Sequence, residues 1–450
     1  MGTLTRQSPL ERLRERLDAG LETPTSVARE YLARVNSSAS RNTYLWLDSD
    51  RLMDEAAELD HRLAATGPGS ALYGVPVSLK DCFDLRGTVT TAGTRFYAER
   101  TEAADHDSAV AARLRESGAL IMGKTHMHGL AYGITGENPD FGDCLQPRDA
   151  GLLTGGSSSG AAASVQEGSA VVAIGTDTGG SVRVPAALCG LVGYRASHRL
   201  ARQPGPWPSS PGGLWAGGVH LAATFDTVGL FVRDPRDAAV AANALFGGGI
   251  EQPSGQVRIG CVAGTFLHDC DPEVSEALAL WRECMLRSGY DVEEFEPAGW
   301  EEAQAIFSGI QAHEAAQIHR GRFDEFEPAI ANRLRWGEGL PESVVAGLRE
   351  RMADFSAGML ELFRSFDLLM LPAAPVRRLV AGEDQTGARG RILKYTTPFS
   401  LAGLPAVSLP GEMLGGPLGS GVQIGAAPGA DARLLGLCST LGERLAREPA

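Results

Sequence analysis

The chain has no long apolar run. Its best apolar stretches, Ala170–Ile174 and Leu368–Leu371, are strand-length and fall far short of the roughly 18 to 20 residues that a bilayer-spanning helix needs. A membrane-spanning helical protein is therefore excluded. Cysteine is sparse and unpatterned: Cys82, Cys144, Cys189, Cys261, Cys270, Cys284 and Cys438 make an odd set of seven with no C-x-x-C pair. Such a set fits neither a disulfide framework nor a zinc site and leaves buried free thiols as the expectation. Positive charge is in deficit, with 41 Lys+Arg against 55 Asp+Glu and a net charge of −14. No basic cluster is long enough to track a phosphate backbone, so nucleic acid is not an expected partner. Histidine stops at His319, and Met1 to Pro9 holds no basic-then-apolar secretion signal, which points to the cytoplasm.

What is present is a globular composition, 43% hydrophobic over 450 residues, long enough to bury a substantial core. Glycine is the outlier at 56 residues, above the average share of about 7%. Leu10, Leu13, Leu17 and Leu21, then Val27, Tyr31, Leu32 and Val35, recur at helical spacing. A third helix is expected over Arg51–Leu63, stopped by a Gly67-Pro68-Gly69 turn. From Tyr73 to Val232 the runs Val75–Leu79, Ala119–Met122, Ala170–Ile174 and Gly229–Val232 read as buried strands, interspersed with helices over Ser108–Ser117 and Ser159–Gln166. Residues 238–365 read as a helical, charged lobe with one strand near Val257–Val262. Strands over Leu368–Leu371, Leu404–Leu409 and Val422–Ile424 and a closing helix over Arg433–Arg447 follow. Alternating elements of this kind imply an α/β sheet covered by helices. The expected division is 1–66 (N-terminal helices), 67–237 (catalytic core), 238–365 (substrate-shaping lobe) and 366–450 (return to the sheet), without repeats or a low-complexity linker.

Three glycine-rich patterns compete for the chemistry. Gly118 to Thr125, G-A-L-I-M-G-K-T, matches the phosphate-loop pattern G-x-x-x-x-G-K-[ST]. Its variable positions, however, form an apolar strand where a loop is required, so nucleotide binding is not expected. Gly156 to Gly160, G-S-S-S-G, matches the nucleophile elbow G-x-S-x-G with Ser158 at its centre. That arrangement needs a later acid and histidine. His268, His313 and His319 lie in the helical lobe, which counts against it.

The third pattern joins three segments: Y-G-V-P-V-S-L-K-D over Tyr73–Asp81, G-G-S-S-S-G over Gly155–Gly160, and G-T-D-T-G-G-S-V-R over Gly175–Arg183. In the first, Val75, Val77 and Leu79 alternate with Pro76, Ser78 and Lys80, placing Lys80 at a strand end opposite the apolar set. Each glycine segment alone could be a helix N-cap or turn. Together the three resemble the amidase signature family, whose members carry a lysine in V-P-x-x-x-K-D, a G-G-S-S-[GS]-G loop and a nucleophile in G-T-D-x-G-G-S-[IV]-R. The separation of Ser157 and Ser181 is the one the family uses. The likeness runs from about Tyr73 to Val232 and resumes at Asp367–Pro375 and Thr396–Pro410.

The resemblance implies a single large α/β domain with a central mixed sheet covered by helices on both sides. It also implies hydrolysis of a non-peptide carboxylic amide through an acyl-Ser181 intermediate. Ser157 would be the proton relay and Lys80 the general base, a role that requires a desolvated lysine. A cis peptide would flank Ser157. Thr178, Gly179 and Gly180, with Ser181, would supply an oxyanion hole; Ala131 would line the acyl side of the pocket, and Asp177 and Arg183 would support the loops. No cofactor and no metal are implied: His126 and His128 form an H-x-H pair, but no third ligand sits at useful spacing. The expected partner is a small-molecule amide; a homodimer is among the assemblies the resemblance allows.

Two relatives within the family compete with this reading: an esterase, and the A subunit of a glutamyl-tRNA(Gln) amidotransferase. The resemblance places, in glutamine-using members, an aspartate five residues before the proline of T-x-P-x-N-L-A-G-L-P. This chain has Leu393 there, followed by Lys394, which weakens the glutaminase reading. Further departures are Thr154 for a common proline, Ser400 for the usual asparagine, and Cys144 in a loop near the site. Gln203 to Gly218, with Trp207 and Trp215, is expected to shape the pocket together with the helical lobe. An inactive scaffold retaining the fold is the remaining alternative.

Overall fold

The computed structural model describes residues 6–36, 42–66, 69–198 and 213–447. Eleven strands build one sheet: β1 (Tyr44–Trp46), β2 (Pro76–Lys80), β3 (Leu120–Thr125), β4 (Val172–Thr176), β5 (Val192–Arg195), β6 (Val228–Val232), β7 (Arg258–Val262), β8 (Asp291–Phe295), β9 (Leu368–Pro372), β10 (Ala406–Pro410) and β11 (Gly421–Ala426). Their spatial order is β1-β3-β2-β4-β6-β5-β10-β11-β9-β7-β8. The β3–β2–β4 and β9–β7–β8 neighbours are parallel and the other pairs antiparallel, so the sheet is mixed.

The central strands are buried at every residue, as an apolar run covered by helices on both faces requires. The edge differs: in β8, Asp291, Glu293 and Glu294 are exposed, and such charges discourage pairing with another chain. They also hide the strand from a hydrophobicity reading. β1 and β5 escape it as well, being three and four residues long, too short for periodicity to register. The N-terminal helices fall at Pro9–Asp18, Pro24–Asn36 and Ser49–Thr66. Gly67 and Pro68 of the expected turn lie outside the described residues. The first helix is capped by Ser8 and Glu11 in a reciprocal box.

All four expected segments feed the same sheet: 1–66 contributes β1, and the helical lobe contributes β7 and β8. The lobe's helices Ala303–Ile318 and Glu342–Ser365 pack against the helix Ala388–Leu401, and Pro328–Glu338 packs on Ala303–Ile318. Among the described residues no helix is long and apolar enough to cross a membrane.

The phosphate-loop match is strand β3. Lys124 within it is fully buried, 2.6 Å from Asp81, and donates to the Val89 carbonyl at 3.1 Å and Thr90 Oγ1 at 2.8 Å. Its ammonium is a structural cation.

Candidate active site

β2 and β4 are parallel neighbours, with Ser78 opposite Ala173 and Leu79 opposite Ile174. Lys80 and Thr176 therefore emerge together at the carboxyl ends of the two strands, the usual place for a site in an α/β sheet. The helix Ser159–Glu167 brings Ser157 and Ser158 to the same point from its N-terminal side, and the loop after β4 brings Ser181. The Gly156–Ser157 peptide is cis.

Lys80 is fully buried, and its Nζ makes three bonds: to Ser157 Oγ at 2.8 Å, Ser158 Oγ at 3.0 Å and Thr176 Oγ1 at 2.6 Å. No carboxylate lies within ion-pair distance of it among the described residues. Burial pushes its pKa down from the ordinary 10.5 to about 8. An amine held by three hydroxyls suits either protonation state: the ammonium donates three times, and the neutral amine donates twice and accepts once.

The two adjacent serines differ. Ser158 Oγ donates to the Thr176 carbonyl at 3.1 Å and accepts from the Thr176 N–H at 3.2 Å as well as from Lys80. Its one proton and both lone pairs are engaged. Nor does His126 offer the elbow reading a base: its Nδ1 meets Ser159 Oγ at 2.8 Å, while its Nε2 meets the Gly142 carbonyl at 2.8 Å. With both ring nitrogens occupied, His126 is a structural residue. Ser157 Oγ has Lys80 as its partner, and its backbone carbonyl accepts from the His128 N–H at 3.1 Å.

The loop carrying Ser181 is wound around Asp177. This carboxylate accepts the N–H groups of Gly180 at 2.8 Å, Val182 at 3.2 Å and Arg183 at 3.3 Å, the Arg183 side chain at 2.9 and 3.0 Å, and Arg195 Nη1 at 2.9 Å. Burial alone would raise the Asp177 pKa, but the two guanidinium charges outweigh it and hold the group well below the usual carboxylate range. Arg183 continues to the Thr396 carbonyl, Gln423 Oε1 and Ser400 Oγ, so the serine in place of an asparagine is an acceptor for that guanidinium.

One expected oxyanion donor needs correction: the Gly180 N–H is already given to Asp177. The N–H groups of Thr178, Gly179 and Ser181 have no acceptor among the described residues, leaving those three for a ligand. Gly180 itself has φ +126°, and a Cβ there would meet Thr396. Arg195, which binds Asp177 from β5, and Thr176 both escape the sequence reading. Each looks like an ordinary strand residue until the sheet sets β5 and β4 beside the loop.

The walls follow. Ala131, half-buried with φ +56°, closes a 3-10 turn whose N–H bonds the His128 carbonyl at 3.0 Å. A Cβ on Gly179 would lie 2.6 Å from Phe307 Cζ and 3.4 Å from Leu393 Cδ2, so these apolar side chains cover that glycine. Phe307 packs on Phe225 with ring centroids 4.7 Å apart. Lys394 turns away to Asp269 at 2.7 Å. Thr154 Oγ1 donates to the carbonyl of Cys144, whose thiol is buried and its pKa raised by that burial. Trp215 is buried against Phe83 and His220; Trp207 lies outside the described residues.

A family model described as Amidase matches residues 26–435. The chain belongs to the amidase signature family of hydrolases. This amidase homologue is 31% identical to 2-amino-5-chloromuconic acid deaminase of Comamonas testosteroni over 418 residues, covering 88% of this chain and 87% of that one. It is 30% identical over 453 residues to the A subunit of the Geobacter sulfurreducens glutamyl-tRNA(Gln) amidotransferase, covering 90% of each. Among solved structures it is similar to one described as a crystal structure of amidase, at 29% identity and TM-score 0.85, covering 97% of this chain and 99% of that one. The family-level expectations of an α/β fold and an enzyme class acting on amides stand.

Proposed function

We propose that this amidohydrolase cleaves the C–N bond of a small carboxylic amide through an acyl-Ser181 intermediate, with Ser157 as proton relay and Lys80 as base. The observation that carries the reading is the buried Lys80 amine, 2.8 Å from Ser157 Oγ with no carboxylate partner among the described residues, beside a serine turn with three free N–H groups. Neutral Lys80 accepts the Ser157 proton as Ser157 accepts that of Ser181. The Ser181 oxygen bonds the carbonyl carbon, and the N–H groups of Thr178, Gly179 and Ser181 take up the developing negative charge. The proton returns through Ser157 to the leaving nitrogen as the C–N bond breaks. Water then adds to the acyl carbon by the same route, releasing the carboxylate and regenerating Ser181.

The glutaminase alternative loses support from Leu393. Where glutamine-using relatives are expected to carry an aspartate, an apolar side chain faces Gly179, and the neighbouring Lys394 is held by Asp269. An α-ammonium group placed there would be buried without a counter-charge.

Fluorophosphonate labelling followed by peptide mapping tests the mechanism. Label on Ser181, lost in S181A and K80A, is the expected result; label on Ser158, or none, overturns it.

A further inference from the structure

Two carboxylates buried around the site are neutralised by full charges: Asp177 by Arg183 and Arg195, and Asp81 by Lys124. Asp226 stands in contrast. It is buried, and among the described residues no arginine or lysine lies within ion-pair distance of it. Its one ionisable partner is the half-exposed His220, whose Nδ1 meets Asp226 Oδ2 at 2.9 Å and whose ring stacks on Trp215. Oδ2 also accepts the N–H groups of Leu221 and Ala222, each at 3.0 Å. Three donors thus converge on one oxygen and fix the rotation of the carboxylate. The other oxygen, Oδ1, has a single partner, the Thr178 hydroxyl, which donates to it at 2.6 Å. A hydroxyl bound to a carboxylate at that distance makes a charge-assisted bond, one of the stronger kinds in a protein.

The bond matters because of where Thr178 stands. Its N–H is one of those the serine loop leaves free, beside Gly179 and just ahead of Ser181. Side chains pin the later part of this loop: Asp177 takes the Gly180 N–H, and Thr396 Oγ1 donates to the Gly179 carbonyl. The segment before β6 holds the start of the loop twice. The Thr227 carbonyl accepts the Asp177 N–H at 2.9 Å, and Asp226 accepts the Thr178 hydroxyl. The same segment supports the loop's cover, since Phe225 packs on Phe307, which lies against Gly179. It is anchored in turn to the lobe: the N–H and hydroxyl of Thr224 donate to Glu314 on the helix Ala303–Ile318 at 3.0 and 2.5 Å. Residues 220–227 therefore brace the loop against the lobe, with Asp226 at the point of contact. Its charge also reaches Lys80. Burial pushes that pKa down to about 8, and the charges of Cys82, Asp177 and Asp226 oppose the fall.

We infer that Asp226 is a positioning residue for the proposed reaction: by holding the Thr178 hydroxyl it fixes the direction of the backbone N–H that Thr178 offers to the developing oxyanion. The inference deepens the amidase reading and rests on it for the identity of the nucleophile. Asp226 makes no hydrogen bond or ion pair with Lys80 or Ser181 and acts through Thr178. An oxyanion donor has to be aimed before the charge develops, and a turn made permissive by Gly179 and Gly180 is aimed only by the bonds that restrain it. Asparagine does not replace the carboxylate. With its one oxygen kept on the three donors, its amide nitrogen would face Thr178 Oγ1 and donate where Asp226 accepts, so the Thr178 hydroxyl would lose its acceptor.

An alkyl fluorophosphonate tests this without a known substrate. The Ser181 oxygen bonds phosphorus, its proton passes through Ser157 to Lys80, fluoride leaves, and the phosphoryl oxygen takes the oxyanion's place. The second-order rate of labelling and the labelled peptide are measured on the full-length chain from about pH 6 to 10. T178V, which keeps the side chain's shape and removes the hydroxyl, should label Ser181 at least about tenfold more slowly than wild type, and T178S should stay within about threefold of wild type. D226N should slow labelling at least about tenfold as well. With one negative charge removed near Lys80, D226N should also move the acid limb of the profile to lower pH, whereas T178V should leave it in place. A brace with a purely structural role would lower the thermal midpoint of D226N without moving the limb. Labelling of T178V at the wild-type rate overturns the inference, as does T178S as slow as T178V or an unmoved limb in D226N. Should D226N fail to fold, the comparison of T178V with T178S decides alone. Label absent from Ser181 in wild type would sink the acyl-Ser181 reading and with it the role given to Thr178, an outcome that peptide mapping separates from slow labelling of the right serine.

Discussion

Lys80 Nζ lies 2.8 Å from Ser157 Oγ and 3.0 Å from Ser158 Oγ, yet only one of these serines has a proton to move. Ser158 has already given its own to the Thr176 carbonyl. The difference comes from the turn into the helix Ser159–Glu167, which aims one hydroxyl back at β4 and leaves the other against Lys80 alone.

Replacing each serine by alanine should therefore have unequal effects. Loss of a proton relay costs about 10² to 10⁴ in rate, so S157A should fall in that range. S158A, which loosens the lysine without removing the relay, should lose about tenfold and keep fluorophosphonate on Ser181. Equal losses in kcat/KM for the two variants would contradict the assignment.

The pH profile follows from Lys80. In the proposed mechanism the active form is the neutral amine, and burial depresses the Lys80 pKa to about 8. Below that value the neutral fraction falls about tenfold per pH unit, so kcat/KM should rise with pH up to about 8 and then level off. A plot of kcat/KM from about pH 6 to 10 tests this, and an acid limb centred near the ordinary His value instead would assign the base elsewhere.

Asp177 neutralises two fully buried guanidiniums. D177N leaves both unpaired, which should destabilise the fold by about 3 to 5 kcal/mol in urea unfolding near neutral pH. Because the native pKa is depressed, the carboxylate's contribution is complete above the ordinary value of 3.8 and is lost as pH falls through the native value. The gap between wild type and D177N should hold down to about pH 4 and narrow only below it.

Gly179 is glycine for space. A Cβ there would sit 2.6 Å from Phe307 Cζ, within hard contact, so G179A should lower both stability and activity, the latter by at least about tenfold. Shortening the opposing ring should relieve the clash, so G179A/F307L should be more stable than G179A by about 1 kcal/mol or more. A double-mutant cycle without that coupling would show that Phe307 is not the obstruction.

The glycine spacing and the alternation leading to Lys80 place the three candidate residues on short, strongly patterned segments, and there the strands and turns of the structure match the pattern. Buried apolar runs such as Ala170–Ile174 and Leu368–Leu371 are legible for a related reason: a strand covered on both faces reads as a near-continuous apolar run. β8 is not, because an edge strand carries Asp291, Glu293 and Glu294 to solvent.

The resemblance carried by three short motifs was what singled out the candidate groups in the sequence, namely which lysine, which two serines and which glycine turn. Their wiring came from the fold. The folded loop commits the Gly180 N–H to Asp177, and β4 ties down Ser158. The sheet brings Arg195 under the loop from a strand 18 residues away in sequence, and the segment before β6 sets Asp226 against Thr178. Hydrogen-bond saturation and charge neutralisation are settled between segments distant in the chain, and no local pattern records which of a polar group's possible partners the fold will supply.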